Sequence, residues 1–428
     1  MGCYNTNAVP FILIGRLLTV AFSIGTIYLT YLLAKKLFDK KTGLLSALFL
    51  SLIWQHIISS HYATTDITAA FFTLLAVYFV WNVSTKTDLK SYLLAGFSCG
   101  LSIAAKYYGG IIFLAIILFG WKNKKYILFS FFAMILGFFV GCPYAFIDSA
   151  SFFEKFIDRF NLIVGGEKSE LFHGFLSYFD ILIRGLGHFL IITSVLGIVF
   201  LIINRIKQNI FLLVITLTLI IFFGSWKGLY GHYILALYPF FAIISASFIK
   251  KTFVTTKSKT FTTECTEVTE KEFRIKTPCF PCSPWQRFYN FPYRNKVAFV
   301  VVIMIFLITT LPRIIKTDVL LSQKDTRIIA REWVLKNIPE KSKILRGPFC
   351  PEFNSDNYFI KIDWYDKIKN GDFAEIQKKF DYVITSSLHG DPETFTVNME
   401  KYGNKIYEIS KESIGAFQNP TIKIWKLR

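Results

Sequence analysis

The sequence predicts an all-α polytopic membrane domain of about ten transmembrane helices, followed by a small soluble α/β domain, and three observations carry that prediction. The first is composition: 428 residues with 53% hydrophobic content, 46 phenylalanines and only 18% charge carry more apolar surface than a soluble core of this length can hide. The second is recurrence, since segments long enough to cross roughly 30 Å of hydrocarbon repeat from Pro10 to about Lys250 and once more after Lys296. The third is a change of pattern after Pro312, where helical spacing and short β-rich runs replace the long apolar stretches.

Taken in order, apolar spans are expected at 10–33, 43–60, 66–83, 91–105, 107–121, 125–147, 181–203, 209–224, 232–249 and 297–312. The loops between them alternate in charge. Lys35, Lys36, Lys40 and Lys41 fill the first, HYATT has no Lys or Arg, and Lys86 and Lys90 fill the third. Lys106 stands alone in the fourth, Lys122, Lys124 and Lys125 follow, and Arg205 and Lys207 sit after residue 203. Basic loops favour the cytoplasm, so this alternation puts Asp66, Lys106, residues 148–180, SWKGLYGH and the chain after Pro312 on the opposite side. The N-terminus then lies outside too. The net charge of +19 is therefore assigned to topology, and nucleic acid is excluded as the partner.

The domains read as 1–249 transmembrane, 250–296 a polar, Thr-rich cytoplasmic loop or insertion, 297–312 the last span, and 313–428 an extracytoplasmic α/β domain. Within the last, TRIIAREWVLKNI has helical spacing, and KSKILRG, DYVITSS and TIKIWKL read as strands. Seven cysteines imply no disulfide framework. Cys279 and Cys282 form one CxxC with only Cys265 nearby, short of the four ligands of a zinc site. MGCYNT fits the N-myristoylation pattern, which needs a cytosolic N-terminus.

Charged groups at the membrane boundary are costly unless water, a partner or a substrate satisfies them. Asp66 opens the third span; its carboxylate either accepts a proton from an attacking hydroxyl or serves the helix N-terminus as a cap. Lys106, in GLSIAAKYYGG, either meets a phosphate, with Tyr107 and Tyr108 as added donors, or snorkels beside an aromatic belt. SWKGLYGHYILALYPF supplies Lys227, Tyr230, His232 and Tyr233 just before the ninth span, as oxyanion donors or as an aromatic belt. Arg16, Arg184 and His188 either line a polar cavity or reach outward, and FFEKFIDRF is amphipathic enough to lie along the interface as a cover.

The stretch from GRLLTVAFSIGTIYLTYLLAKKLFDKK through HYATTDITAAFFTLLAVYF, then AGFSCGLSIAAKYYGG and GHYILALYPFFAIISA, resembles the GT-C-fold glycosyltransferases of the protein O-mannosyltransferase and lipid A aminoarabinose transferase kind. DTRIIAREWVLKNIPEKSKIL is similar to the start of the soluble domain in many of them. The resemblance implies transfer of a sugar from a polyprenyl-phosphate carrier to an acceptor hydroxyl of a glycan, lipid or protein on the extracytoplasmic face of a bacterial or archaeal cell membrane. It further implies Asp66 as the acidic residue near the acceptor, and Lys106, Tyr107, His232 and Tyr233 near the donor phosphate. No metal ligands are assigned, and a divalent ion stays open. The family's first span and its outer loop with an acidic residue have no counterpart before MGCYNTNAVP, so a non-catalytic, truncated member is one alternative reading. A transporter or lipid-carrier flippase is another. Sugar, carrier length and oligomeric state are not specified by any residue set in the chain.

Overall fold

The computed structural model describes residues 9–164, 171–225, 231–253, 292–347, 349–353, 357–362, 373–389, 399–412 and 419–428. The myristoylation pattern, Lys227, Tyr230, the CxxC and most of the Thr-rich insertion lie outside the described residues. The described residues divide into two compact units, one ending at Ile314 and one running from Ile315 to Arg428.

In the first unit every expected apolar segment is helical, but the segments are not equivalent. Among the described residues six helices are long and apolar enough to cross a membrane. Among them are α1 (Val9–Leu37), α4 (Thr65–Lys86), α7 (Lys124–Gly141), α12 (Lys207–Gly224) and α14 (Pro292–Ser322). The sixth joins a short 3₁₀ turn, Tyr233–Leu237, to α13 (Tyr238–Phe253). Two expected spans are bent pairs. α2 (Lys40–Ser51) and α3 (Trp54–Ser60) meet at 64°, and the end of α10 (Leu171–Leu186) meets α11 (His188–Ile203) at 113°. The second break falls at Gly187, whose φ of +81° is open to glycine and costly to other residues. Two more apolar helices are shorter: α5 (Leu89–Ala105), and a 3₁₀ turn at Tyr107–Ile111 running into α6 (Ile112–Gly120). The expected 125–147 span ends at Gly141, where Pro143 starts a separate turn, α8 (Tyr144–Ile147), and the amphipathic stretch is α9 (Ser149–Val164).

Physical causes are visible in the side chains. Phe11, Leu17, Ile24, Leu128, Leu136, Val300 and Ile308 leave an apolar surface on α1, α7 and α14 that water would penalise and hydrocarbon accepts. The chain is a multi-pass membrane protein. Its buried hydroxyls bond back to the helix: Thr26 donates to the Phe22 carbonyl, Thr30 to Thr26 and Thr216 to Leu212. Asp39 accepts from the Thr42 N–H (3.0 Å) as the N-cap of α2 and also pairs with Lys250 of α13, tying two helix ends. α5 and α7 approach closely. Cβ atoms at Gly96 and Gly100 would stand 2.0 Å from the Ser130 and Met134 carbonyl oxygens, and one at Gly137 2.3 Å from the Phe97 oxygen. Small residues four apart thus let the two backbones touch.

The second unit is a five-stranded sheet in the order β2-β1-β3-β5-β4, built from β1 (Lys343–Arg346), β2 (Phe359–Ile362), β3 (Tyr382–Ser386), β4 (Gly403–Ile409) and β5 (Ile422–Leu427). β1 runs parallel to β2 and β3, and β5 antiparallel to β3 and β4. α15 (Thr326–Asn337) lays Ala330 and Val334 on one face, against Ile344, Ile384, Ile422 and Ile424. Leu345, Val383 and Trp425 face the other way and pack with Ile376 of α16 (Phe373–Lys379).

Asp325 caps α15, its Oδ1 accepting from the Arg327 N–H and Nε, both at 2.8 Å, and its Oδ2 from Nη2 at 2.9 Å. Burial raises its pKa, but the Arg327 hydrogen bonds and charge outweigh burial and hold the carboxyl below the usual range. A depressed folded-state value means the stabilisation is complete above the unfolded pKa of about 3.9 and is lost as pH falls through the folded one. Asp325→Asn keeps a capping oxygen but loses the charge that pairs with Arg327, and is therefore expected to lower the calorimetric midpoint of this unit at pH 7, by about 1 kcal/mol at most, since the pair is partly solvated. The difference from wild type should shrink as pH falls through the folded-state value; an unchanged midpoint at pH 7 would refute the charge pairing.

Candidate active site

Asp66 lies in the first turn of α4, one residue beyond the start, and is 5% exposed. Thr64 occupies the N-cap position and makes no side-chain capping bond. The Asp66 carboxylate instead pairs with the Lys106 ammonium, close to the positive end of the helix dipole.

Lys106 arrives there because α5 ends on it. Its backbone is extended (φ −154°, ψ 133°), its N–H still reaches the Ser102 carbonyl at 2.8 Å, and a 3₁₀ turn begins at the next residue. That turn is pressed onto α5. A Cβ at Gly109 would fall 2.3 Å from the Ser102 Oγ, and the Cys99 thiol donates to the Gly109 carbonyl at 3.4 Å. Adjacent residues of a 3₁₀ turn point about 120° apart, and the two tyrosines separate accordingly. Tyr107, 47% exposed, packs edge-on against Phe156 of α9 with ring centroids 4.8 Å apart. Tyr108 turns inward against Phe223 (5.1 Å) and close enough to Asp66 to feel its charge; its hydroxyl is buried and has no hydrogen-bond partner.

The third element comes from the turn that leads into α13. Tyr233 presents its ring to the Lys106 ammonium, 4.3 Å from the centroid, and His232 lies 4.5 Å from Tyr233, ring to ring. Asp66, Lys106, His232 and Tyr233 are thus brought together from three elements, whereas Tyr107 is directed toward α9. Arg16, Arg184 and His188 are exposed, and Arg184 pairs with Asp180 one turn earlier.

Burial pulls the Lys106 ammonium below lysine's ordinary range, while Asp66 pulls it back up. Burial also holds His232 below the usual imidazole range; Asp66 opposes that and Lys106 adds to it. At neutral pH the imidazole is therefore neutral, so Lys106 carries the site's positive charge and His232 offers one N–H. Among the described residues no group of three or more His, Cys, Asp or Glu side chains is disposed to hold a metal ion. One carboxylate, one ammonium and a rim of ring donors can bind an oxyanion and accept a proton beside it.

Residues 3–137 match the family model described as Dolichyl-phosphate-mannose-protein mannosyltransferase, PMT. Among solved structures the chain is similar to ArnT from Cupriavidus metallidurans in the apo state, at 9% identity and a TM-score of 0.53, over 96% of this chain and 83% of that one. ArnT bound to undecaprenyl phosphate matches at 10% identity and a TM-score of 0.51 over the same shares. The fold is that of the GT-C glycosyltransferases. The oligosaccharyltransferase of Archaeoglobus fulgidus, in complex with zinc and sulfate, matches at 14% identity and a TM-score of 0.49, over 95% of this chain and 61% of that one. No curated protein matches. The PMT-like stretch holds Asp66 and Lys106, and the GT-C-like bundle continues beyond it to supply His232 and Tyr233.

Proposed function

We propose that the chain is a membrane glycosyltransferase that moves a sugar from a polyprenyl-phosphate carrier to an acceptor hydroxyl. The observation that carries this reading is the Lys106 ammonium, held between the Asp66 carboxylate and the Tyr233 ring where α5 ends. A cation in this setting is paired but poorly hydrated, and a phosphate with two oxygens to offer competes well for it. As the phosphate engages Lys106, the Asp66 carboxylate loses its partner and is available to the acceptor proton. The acceptor oxygen then bonds to the anomeric carbon, the bond from that carbon to the phosphate oxygen breaks, and the acceptor proton passes to Asp66. Charge growing on the departing polyprenyl phosphate meets Lys106 and the N–H of His232, which is the stage at which preorganised donors lower a barrier. Loop charge supports an extracytoplasmic location for this site and for the α/β unit, with a glycan, lipid or protein as acceptor.

The test is transfer of labelled sugar by the purified full-length protein from a panel of polyprenyl-phosphate sugars. Wild type is expected to transfer, and Asp66→Asn to do so about 10²–10⁴-fold more slowly. Undiminished transfer by Asp66→Asn would remove the base, and no transfer by wild type from any donor would remove the reading.

A further inference from the structure

A second polar cluster lies in the same unit and takes no part in the chemistry above. Tyr178 of α10 and Tyr238 of α13 are 1% and 0% exposed, and neither hydroxyl has a hydrogen-bond partner. Two such groups side by side inside an apolar bundle are unusual, because a buried hydroxyl left unbonded is costly. Tyr238 is near enough to Tyr178 and to the Arg313 guanidinium to sense both. Gln55 of α3 completes the group. A Cβ at Gly185 would fall 2.2 Å from the Tyr238 hydroxyl and 3.4 Å from Gln55 Cβ, and one at Gly231 3.0 Å from Gln55 Oε1. Gly231 directly precedes His232, so Gln55 is where this cluster meets the Lys106 site.

The chemistry is specific in kind. Two phenols, an amide and a guanidinium, with no carboxylate among them, offer donors and neutral acceptors of the sort that read hydroxyl groups on a ring. The element that seals the phenols is hinged. α10 carries Tyr178 and Gly185 and ends at Gly187, where φ is +81° and a side chain would meet nothing within 4 Å. In its last turn Leu182 and Leu186 are buried in the bundle, the Arg184 carbonyl accepts from Arg313 Nη1 at 2.6 Å, and Arg313 also stacks on Trp54 at 3.8 Å.

We infer that Gln55, Tyr178 and Tyr238 form a carbohydrate-hydroxyl subsite beside the phosphate site, covered by α10 and opened about Gly187 when a sugar enters. This rests on the glycosyltransferase reading. The sugar is that of the donor or of the acceptor, and both present the same hydroxyl chemistry.

The experiment compares full-length wild type with Tyr178→Phe, Tyr238→Phe and the double variant. Each removes only a hydroxyl that has no hydrogen-bond partner, so thermal midpoints should hold or rise, whereas kcat/KM for transfer should fall about ten-fold per hydroxyl. Binding of polyprenyl phosphate without a sugar should stay at the wild-type value. A raised KM for the glycosylated donor assigns the subsite to the donor, and a raised KM for the acceptor assigns it to the acceptor. Wild-type kcat/KM in the double variant, with Lys106→Ala inactive, overturns the subsite and leaves the transferase reading intact. Failure of wild type to bind polyprenyl phosphate overturns that reading instead.

Discussion

Lys106→Ala is expected to lower kcat/KM for sugar transfer by about 10²–10³-fold, the loss typical of removing one preorganised donor from a developing oxyanion. It should also destabilise the membrane unit. Asp66 would be left at a 5%-exposed position with no cation beside it, and breaking such a pair costs roughly 3–5 kcal/mol in a dry interior. Lys106 retains 19% of its side-chain exposure, which puts the expected cost at the low end. Adding Asp66→Asn to Lys106→Ala should restore most of the midpoint and none of the activity. That split separates the two roles of the pair. A Lys106→Ala protein that is as active as wild type would end the assignment, and one that is inactive yet unaffected in stability would show that the pair is not formed.

Gly100→Leu is expected to prevent isolation of a folded protein. The helices α5 and α7 meet backbone to backbone at this point, where a Cβ would fall 2.0 Å from the Met134 carbonyl oxygen and 2.7 Å from the Phe138 nitrogen. Neither atom ends a flexible chain, so neither can move aside alone. Gly100→Ala, the smallest change, should already cost about 1–3 kcal/mol as overpacking. Gly110→Ala is the control, since its Cβ would meet only Ile103 carbons, at 3.6 and 3.7 Å. Thermal midpoints in detergent and monodispersity on gel filtration give the readout. A Gly100→Leu protein that elutes as a sharp peak with a wild-type midpoint would mean that α5 and α7 do not pack through these glycines.

Much of this arrangement can be read from the chain before any coordinates. Span positions follow from apolar length, and β1, β3 and β5 from short β-branched runs, because each is buried on both faces and so reads as apolar. β2 and β4 lie at the sheet edges, and β4 exposes most of its residues, which leaves no hydrophobic signal to detect. The break between α2 and α3 is equally silent. SLIWQH holds no proline or glycine, and the bend is decided by packing. Asp66 and Lys106 stand out singly as charges in apolar surroundings, but their pairing across 40 positions of sequence does not. The two tyrosines after Lys106 are indistinguishable until the 3₁₀ turn directs Tyr107 outward and Tyr108 inward. Gln55, Tyr178 and Tyr238 look like ordinary interfacial residues, since nothing in a linear pattern reveals that two hydroxyls lack partners.

The central claim is that Lys106 is a phosphate receptor, and the most direct measurement compares binding of a polyprenyl phosphate with that of the matching polyprenol. Both share the hydrocarbon chain, so their difference isolates the phosphate. Wild type is expected to bind the phosphate about 100-fold more tightly, a difference of roughly 2.7 kcal/mol, with Lys106→Ala binding the two alike. Equal affinity of wild type for the phosphate and the alcohol would contradict the account.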